Sequence, residues 1–226
     1  MTRQGGLLNE KNRSRFNTIL LILVVFIVFA VPLFPHSLYI PFYNVLFTLI
    51  FFTAALSMEK YRKQMIMIAL IITVVEWIAV VMDRDILITL SRLGMFLFFI
   101  FVVIGLIVQI AKTKKVTARV IIESINGYLL LGLLFSVCVA VVRNLNPEAF
   151  SFKGEIPVGY EIGYNMSQCI YYTFTTFTTL GYGDIVPLVP YAKTIAVFSA
   201  VCGQIYLAVI IAMLVGKFLS YSREAA

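Results

Sequence analysis

Charge is what this chain has least of. Asp, Glu, Lys and Arg make up only 13% of its 226 residues, against 61% hydrophobic, far outside the range of soluble domains, so a water-soluble enzyme or binding module is excluded. Histidine occurs once, as His36 in a polar connection, where solvent exposure is the simpler role than pH sensing. The three cysteines, Cys138, Cys169 and Cys202, all fall inside apolar stretches, with no CxxC and no metal-ligand spacing, which removes disulfide scaffolds and zinc sites. No nucleophile, base or metal constellation occupies the apolar runs, so neither catalysis nor an organic cofactor is expected. The net charge of +7 does not indicate nucleic acid, because the basic residues cluster between apolar runs, where membrane topology accounts for them.

What the chain does have is apolar length. Runs at 17–34, 41–58, 64–82, 86–111, 125–142 and 194–219 are each near or above the roughly 20 residues that cross a bilayer core. The first is too long for a signal-peptide core and is expected to be a retained anchor. Lys and Arg total thirteen on one side of these runs (the N-terminus, 60–63, 112–119 and the C-terminal end) and four on the other (Arg84, Arg143, Lys153 and Lys193), with Arg92 inside the fourth run. This asymmetry predicts six crossings of a cell membrane with both termini cytoplasmic. Glu76 and Arg92 lie at matching depth, about 9 Å inside the outer boundary at 1.5 Å per residue. An intramembrane ion pair between them is expected, as a structural clamp and not a sensor.

One apolar run is too short to cross. Residues 166–178 make thirteen and lead straight into Thr179-Leu180-Gly181-Tyr182-Gly183-Asp184, so a re-entrant helix is expected, with Asn165 or Ser167 as N-cap. Its negative dipole end would face the glycine-bearing segment. For successive carbonyls to address one axis, residues must alternate between right- and left-handed backbone regions, and glycine takes the left-handed half at little cost. Gly181 and Gly183, two apart, allow that alternation; Leu180 and Tyr182 would turn into surrounding protein, and Thr179 can offer carbonyl and hydroxyl together. The alternative is a Gly-rich surface turn. Most of the threonines at 173, 175, 176, 178 and 179 are expected to bond back to helix carbonyls, Thr179 excepted. Glu148, Glu155 and Glu161 join Asp184 as an acidic outer mouth.

The run Thr179–Asp184 resembles the selectivity filter of the tetrameric P-loop potassium channel superfamily, except that Leu180 stands where that family most often has Val. Over 125–219 the order of span, short helix, filter and final span is similar to that family's pore domain. Tyr171 and Tyr172 resemble its paired filter-buttressing aromatics, though simple packing would also place them there. The resemblance implies an all-α membrane protein of six transmembrane helices plus a re-entrant pore helix. It divides the chain into a cytoplasmic N-terminus (1–16), a peripheral four-helix domain (17–111), a basic linker (112–124), the pore domain (125–219) and a short tail (220–226), with no gating domain expected after it.

It further implies a homotetramer in the lipid bilayer conducting potassium, with potassium ions held at Thr179, Leu180, Gly181 and Tyr182, Gly183 completing the filter and Asp184 at the outer mouth. Gly203 sits at the hinge position of the family's inner helix, or is a packing contact; a hinge there would put Leu207, Ile211 and Val215 on the cavity face. Gln204 either faces that cavity or bonds behind the short helix. The basic linker either touches anionic lipid or is a solvated topology signal. The fourth run lacks the repeated basic residues of a voltage sensor, so weak voltage dependence is expected. A voltage-gated channel and a non-conducting regulatory subunit are the alternatives.

Overall fold

The structure, a computed structural model, describes residues 2–34, 39–58, 61–82, 85–113, 116–152 and 166–224. His36, Lys114, Lys115, Glu155, Glu161 and Asn165 lie outside this set, as does the side chain of Arg92, and with it the expected Glu76–Arg92 pair. Helices run in the order α1 (Thr2–Val25), α2 (Tyr39–Ser57), α3 (Arg62–Met82), α4 (Asp85–Lys112), α5 (Ala118–Leu145), α6 (Met166–Phe177) and α7 (Pro190–Glu224). Four stretches among the described residues are long and apolar enough to cross a membrane: Arg13–Ala30, Leu93–Lys112, Ala118–Leu145 and Pro190–Ser220; Phe42–Ser57 is a shorter apolar helix. The protein is a multi-pass, predominantly helical membrane protein.

Helix boundaries reflect local chemistry. The first helix widens into a π-turn at Phe26–Ala30 and tightens into a 3-10 turn at Val31–Leu33. Pro32 explains the change, since it has no N–H to donate to the Val28 carbonyl. Helix α5 begins at Ala118, well before the apolar run that opens near Ile125, so the connection after α4 shrinks and residues 118–124 of the expected linker are helical. Helix α7 overshoots its apolar run at both ends and continues unbroken through Gly203.

Helices α1 to α4 pack each against the next, and α5 touches α1 and α4 on one side and α6 and α7 on the other. Four rings, Phe47, Phe51, Phe98 and Phe99, form the centre of the peripheral bundle, with Phe51 and Phe98 edge-to-face at 4.9 Å. Small residues set the approach of α5 to the later helices. A β-carbon on Gly132 would lie 2.5 Å from the Phe174 ring, and one on Gly127 would collide with the Tyr206 hydroxyl.

One buried acid ties the two halves. Glu123 is fully buried in α5, and its Oε1 accepts from Asn17 Nδ2 of α1 and from Gln109 Nε2 of α4, each at 2.8 Å. The guanidinium nitrogens of Arg119 and Arg13 lie 3.5 and 3.8 Å from the same oxygen. Asn126 Nδ2 donates to the Asn17 carbonyl, and Tyr206 of α7 donates its hydroxyl to the Ser124 carbonyl. Nothing in the sequence pattern singled out Glu123; the available signal was an acid four residues after Arg119, between the basic cluster and the apolar run that opens near Ile125. Replacing Glu123 with Ala should lower unfolding stability by about 3 kcal/mol, since two cationic groups then lose their buried counter-charge. Thermal unfolding in detergent measures the loss, and Glu123→Gln, which keeps the acceptor oxygen, should lose less.

Candidate functional site

The site grows from the end of α6. That helix spans Met166–Phe177, within one residue of the expected short run, and Ser167 sits inside its first turn instead of capping it. Two of the five threonines bond back to the helix, short of the expected majority: Thr175 Oγ1 donates to the Tyr172 carbonyl at 3.0 Å and Thr178 Oγ1 to the Phe174 carbonyl at 2.7 Å, whereas the buried Thr173 hydroxyl makes no such bond. After Phe177 the chain turns sharply. Leu180 N and Gly181 N both donate to the Thr175 carbonyl, at 2.8 and 3.0 Å, and Thr179 N donates to the Thr176 carbonyl at 2.9 Å. The amides of the 179–181 run therefore face back onto the helix terminus, where orphan carbonyls need donors. Among the described residues no backbone amide donates to the carbonyls of 179–183.

Backbone handedness alternates along this run. Thr179, Gly181 and Gly183 have φ of +64°, +52° and +76°, and the residues between them do not have positive φ. For the glycines the requirement is conformational and not spatial, because a β-carbon on either would meet nothing within 4 Å in this chain. Thr179 is the surprise: it takes the left-handed region with a β-branched side chain, a strain of roughly 1–2 kcal/mol. Leu180 and Tyr182 are 56% and 68% exposed, so within one chain they do not turn into surrounding protein.

The C-terminal end of the run is held by side chains. Tyr171 donates its hydroxyl to Asp184 Oδ2 at 2.7 Å. Beyond Asp184 lies a short ribbon, β2 (Ile185–Pro187) paired antiparallel with β1 (Phe150–Phe152). Tyr172 is buried against Phe150, ring centroids 5.2 Å apart and edge-to-face. Both tyrosines thus contact structure around the run, each in a different way.

Helix α7 backs the turn. A β-carbon on Gly203 would lie 2.5 Å from the Phe177 carbonyl oxygen, so in this conformation the glycine permits close contact with the end of α6. Gln204 Nε2 lies 3.5 Å from the same carbonyl, behind α6, at the outer limit of a hydrogen bond. Further along α7, Leu207 is half-buried while Ile211 and Val215 are exposed. No cluster of His, Cys, Asp and Glu suited to a metal occurs among the described residues.

This geometry falls within a segment similar to known proteins. An ion channel family matches residues 149–220. The potassium voltage-gated channel protein shk-1 of Caenorhabditis elegans is 28% identical over 92 residues, 41% of this chain and 17% of that protein. The inward rectifier potassium channel Kirbac3.1 of Paramagnetospirillum magnetotacticum is 28% identical over 104 residues, 44% of this chain and 30% of that protein. The matched segment is thus similar to an ion channel family and to two potassium channels. It spans less than a third of the length of either relative, and no solved structure matches significantly. The matched family and relatives are channels and not enzymes.

The acid beyond the run is tuned by its partner. The Tyr171 hydroxyl holds the Asp184 carboxyl below the usual carboxylate range by bonding to its charged form, and amides nearby act in the same direction. A lowered folded value means that the bond's stabilisation is complete above the ordinary carboxylate range and is lost as pH falls through the lowered one. In Tyr171→Phe the Asp184 titration should move up toward the ordinary value, about 3.9. Carbon-13 NMR of the labelled carboxyl across acidic pH reads the midpoint, and an unchanged midpoint would count against the bond.

Proposed function

We propose that four copies of this chain form a potassium-selective channel in a cell membrane, with residues 179–183 as the filter and potassium as the permeant substrate. The reading is carried by one observation, the left-handed φ at Thr179, Gly181 and Gly183 with amides turned back to α6. Alternating handedness gives successive carbonyls a common direction, and four such runs around an axis can replace a cation's water shell. Thr179, Leu180, Gly181 and Tyr182 would supply the oxygens, and the C-terminal end of α6 adds negative potential behind them. Asp184 and Glu148 would raise the local cation concentration at the outer mouth.

Assembly is favoured by what one chain leaves uncovered. Leu180 and Tyr182 flank the filter with their side chains exposed, and Val197, Phe198, Val201 and Ile205 of α7 are exposed on the same helix that backs it. Neighbouring copies would cover these, and a single run of carbonyls encloses nothing by itself. The distribution of Lys and Arg supports six crossings with cytoplasmic termini. Ile211 and Val215 would then face a cavity between copies, and α7 would bend at Gly203 only by releasing its contact with Phe177. The basic stretch at Lys112–Arg119 would meet anionic lipid on the inner face. The clamp between Glu76 and Arg92 belongs to the same reading, with Glu76 buried in α3.

Purified protein in a planar bilayer tests the conclusion. Under opposed potassium and sodium gradients the reversal potential should approach that of potassium, and Gly181→Ala should abolish selective current because left-handed geometry then becomes strained. A reversal potential near zero for the wild type would sink the reading.

Voltage dependence should be weak. One elementary charge crossing the whole field is worth ~2.3 kcal/mol per 100 mV, and steep gating needs about three to four such charges in each of four subunits. Within the interior of α4 the sequence supplies only Arg92, which lies near one end of that helix. The conductance–voltage curve in symmetrical potassium should therefore rise gradually; a slope equivalent to roughly ten charges, reduced by Arg92→Gln, would establish the voltage-gated alternative.

A further inference from the structure

The filter run has an inner anchor in its own backbone but no comparable outer one. The Thr175 carbonyl holds the amides of Leu180 and Gly181, yet among the described residues no backbone bond ties Tyr182 or Gly183 to the rest of the chain. Gly183 has open space around it, and glycine left unconstrained samples many conformations. The outer end must be fixed by Asp184 and the strand after it.

Strand β1 supplies the fixing. Its register pairs Phe150 with Pro187, Ser151 with Val186 and Phe152 with Ile185, so the ribbon begins one residue after Asp184. Leu188 N donates to the Ala149 carbonyl at 2.9 Å. Hydrogen-bonded and non-bonded pairs alternate in an antiparallel ladder, which puts Pro187 at a non-bonded position, where its missing N–H costs nothing, and Ser151–Val186 at the next bonded one. A two-stranded ribbon is marginal alone. This one is held by Phe150, which is 4% exposed and clusters with Val139, Cys169, Tyr172 and Ala192.

A closed circuit results. Phe150 meets the Tyr172 ring edge-to-face; Tyr172 is adjacent in α6 to Tyr171; Tyr171 bonds Asp184; and Asp184 leads into the strand that pairs with β1. We propose that β1 is a positioning element for the filter, with Phe150 as its anchor, so that ion discrimination depends on a residue of the outer loop that never touches an ion. The proposal rests on reading 179–183 as a potassium filter. Movement of Phe150 would reach the outer carbonyls by two routes, through Tyr172 and α6 and through β2.

The test compares wild type, Phe150→Leu, Phe150→Tyr and Ser151→Pro as assembled protein in planar bilayers. Phe150→Leu and Ser151→Pro should lower the potassium-to-sodium permeability ratio by about tenfold or more, as small misplacements of a preorganised site do. Phe150→Tyr, which keeps the ring, should restore it. A purely structural role would reduce the number of channels and leave the reversal potential alone. Wild-type permeability ratios in both Phe150→Leu and Ser151→Pro would overturn the proposal. If a variant carries no current, thermal unfolding in potassium and in sodium decides: the wild type should gain stability in potassium, the variant should keep the sodium value and lose the gain, and a retained gain overturns the proposal. A wild type without potassium selectivity would instead remove the filter reading on which the clamp rests.

Discussion

A single carbonyl oxygen governs the site. Thr175 O accepts the amides of Leu180 and Gly181, which reverses the chain at the end of α6 and turns the N–H groups of the run toward the helix. Once the amides are committed there, the carbonyls are left without a donor in the described chain, and the alternating φ of Thr179, Gly181 and Gly183 keeps them from pointing to opposite sides as in a strand. Everything around the turn supports that arrangement. Gly203 admits α7 to the Phe177 carbonyl, Gly132 admits α5 to the Phe174 ring, and Tyr128 and Phe135 of α5 close around Phe177.

The alternating backbone of 179–183 and the short helix before it were legible in sequence because their determinants are local. A run of thirteen apolar residues cannot span a bilayer, and two glycines two apart can alternate handedness, whatever surrounds them. Thr179 was harder to foresee. Nothing in a threonine favours positive φ, and only the converging bonds from 179, 180 and 181 onto α6 force it there. Leu180 and Tyr182 were expected to find protein around them, which a single chain does not supply; sequence gives a side chain's direction, not the copy that covers it. The ribbon β1–β2 was missed for a related reason, since three-residue strands carry no periodicity and Phe150 reads as part of a polar outer loop.

Glu123 shows the limit most sharply. Its hydrogen-bond partner Asn17 is 106 residues away in sequence, and only the docking of α1 on α5 brings them to 2.8 Å. Sequence depth arguments pointed to Glu76 because it interrupts a clean apolar run, whereas Glu123 comes after a basic cluster and resembles the edge of a solvated linker. Burial decides between such readings, because a carboxylate removed from water persists only with donors arranged around it. Here α1 provides Asn17 and Arg13, α4 provides Gln109 and α5 provides Arg119.

The same end of the molecule joins the peripheral helices to α7 without an intervening lever. Lys217, near the end of α7, donates to the Ile110 and Ala111 carbonyls at the end of α4, where a helix carries unsatisfied acceptors and partial negative charge. Tyr206, three turns earlier in α7, is held to Ser124 at the start of α5, beside the Glu123 cluster. Two attachments on one helix, to α4 and to α5, constrain both its position and its rotation at this end. An α7 displacement therefore has to break charge-assisted bonds to the α4 terminus or carry α4 with it, and α4 in turn shares Gln109 with the buried acid. The N-terminal half of α7 has no such ties to the peripheral helices among the described residues; there it meets α6 through Gly203 and Phe177 and the rings of α5 through Phe198. Rigidity at the 179–183 run and attachment at the opposite end arise from different chemistry, backbone constraint in one case and buried charge in the other, and α5 is the element that both share.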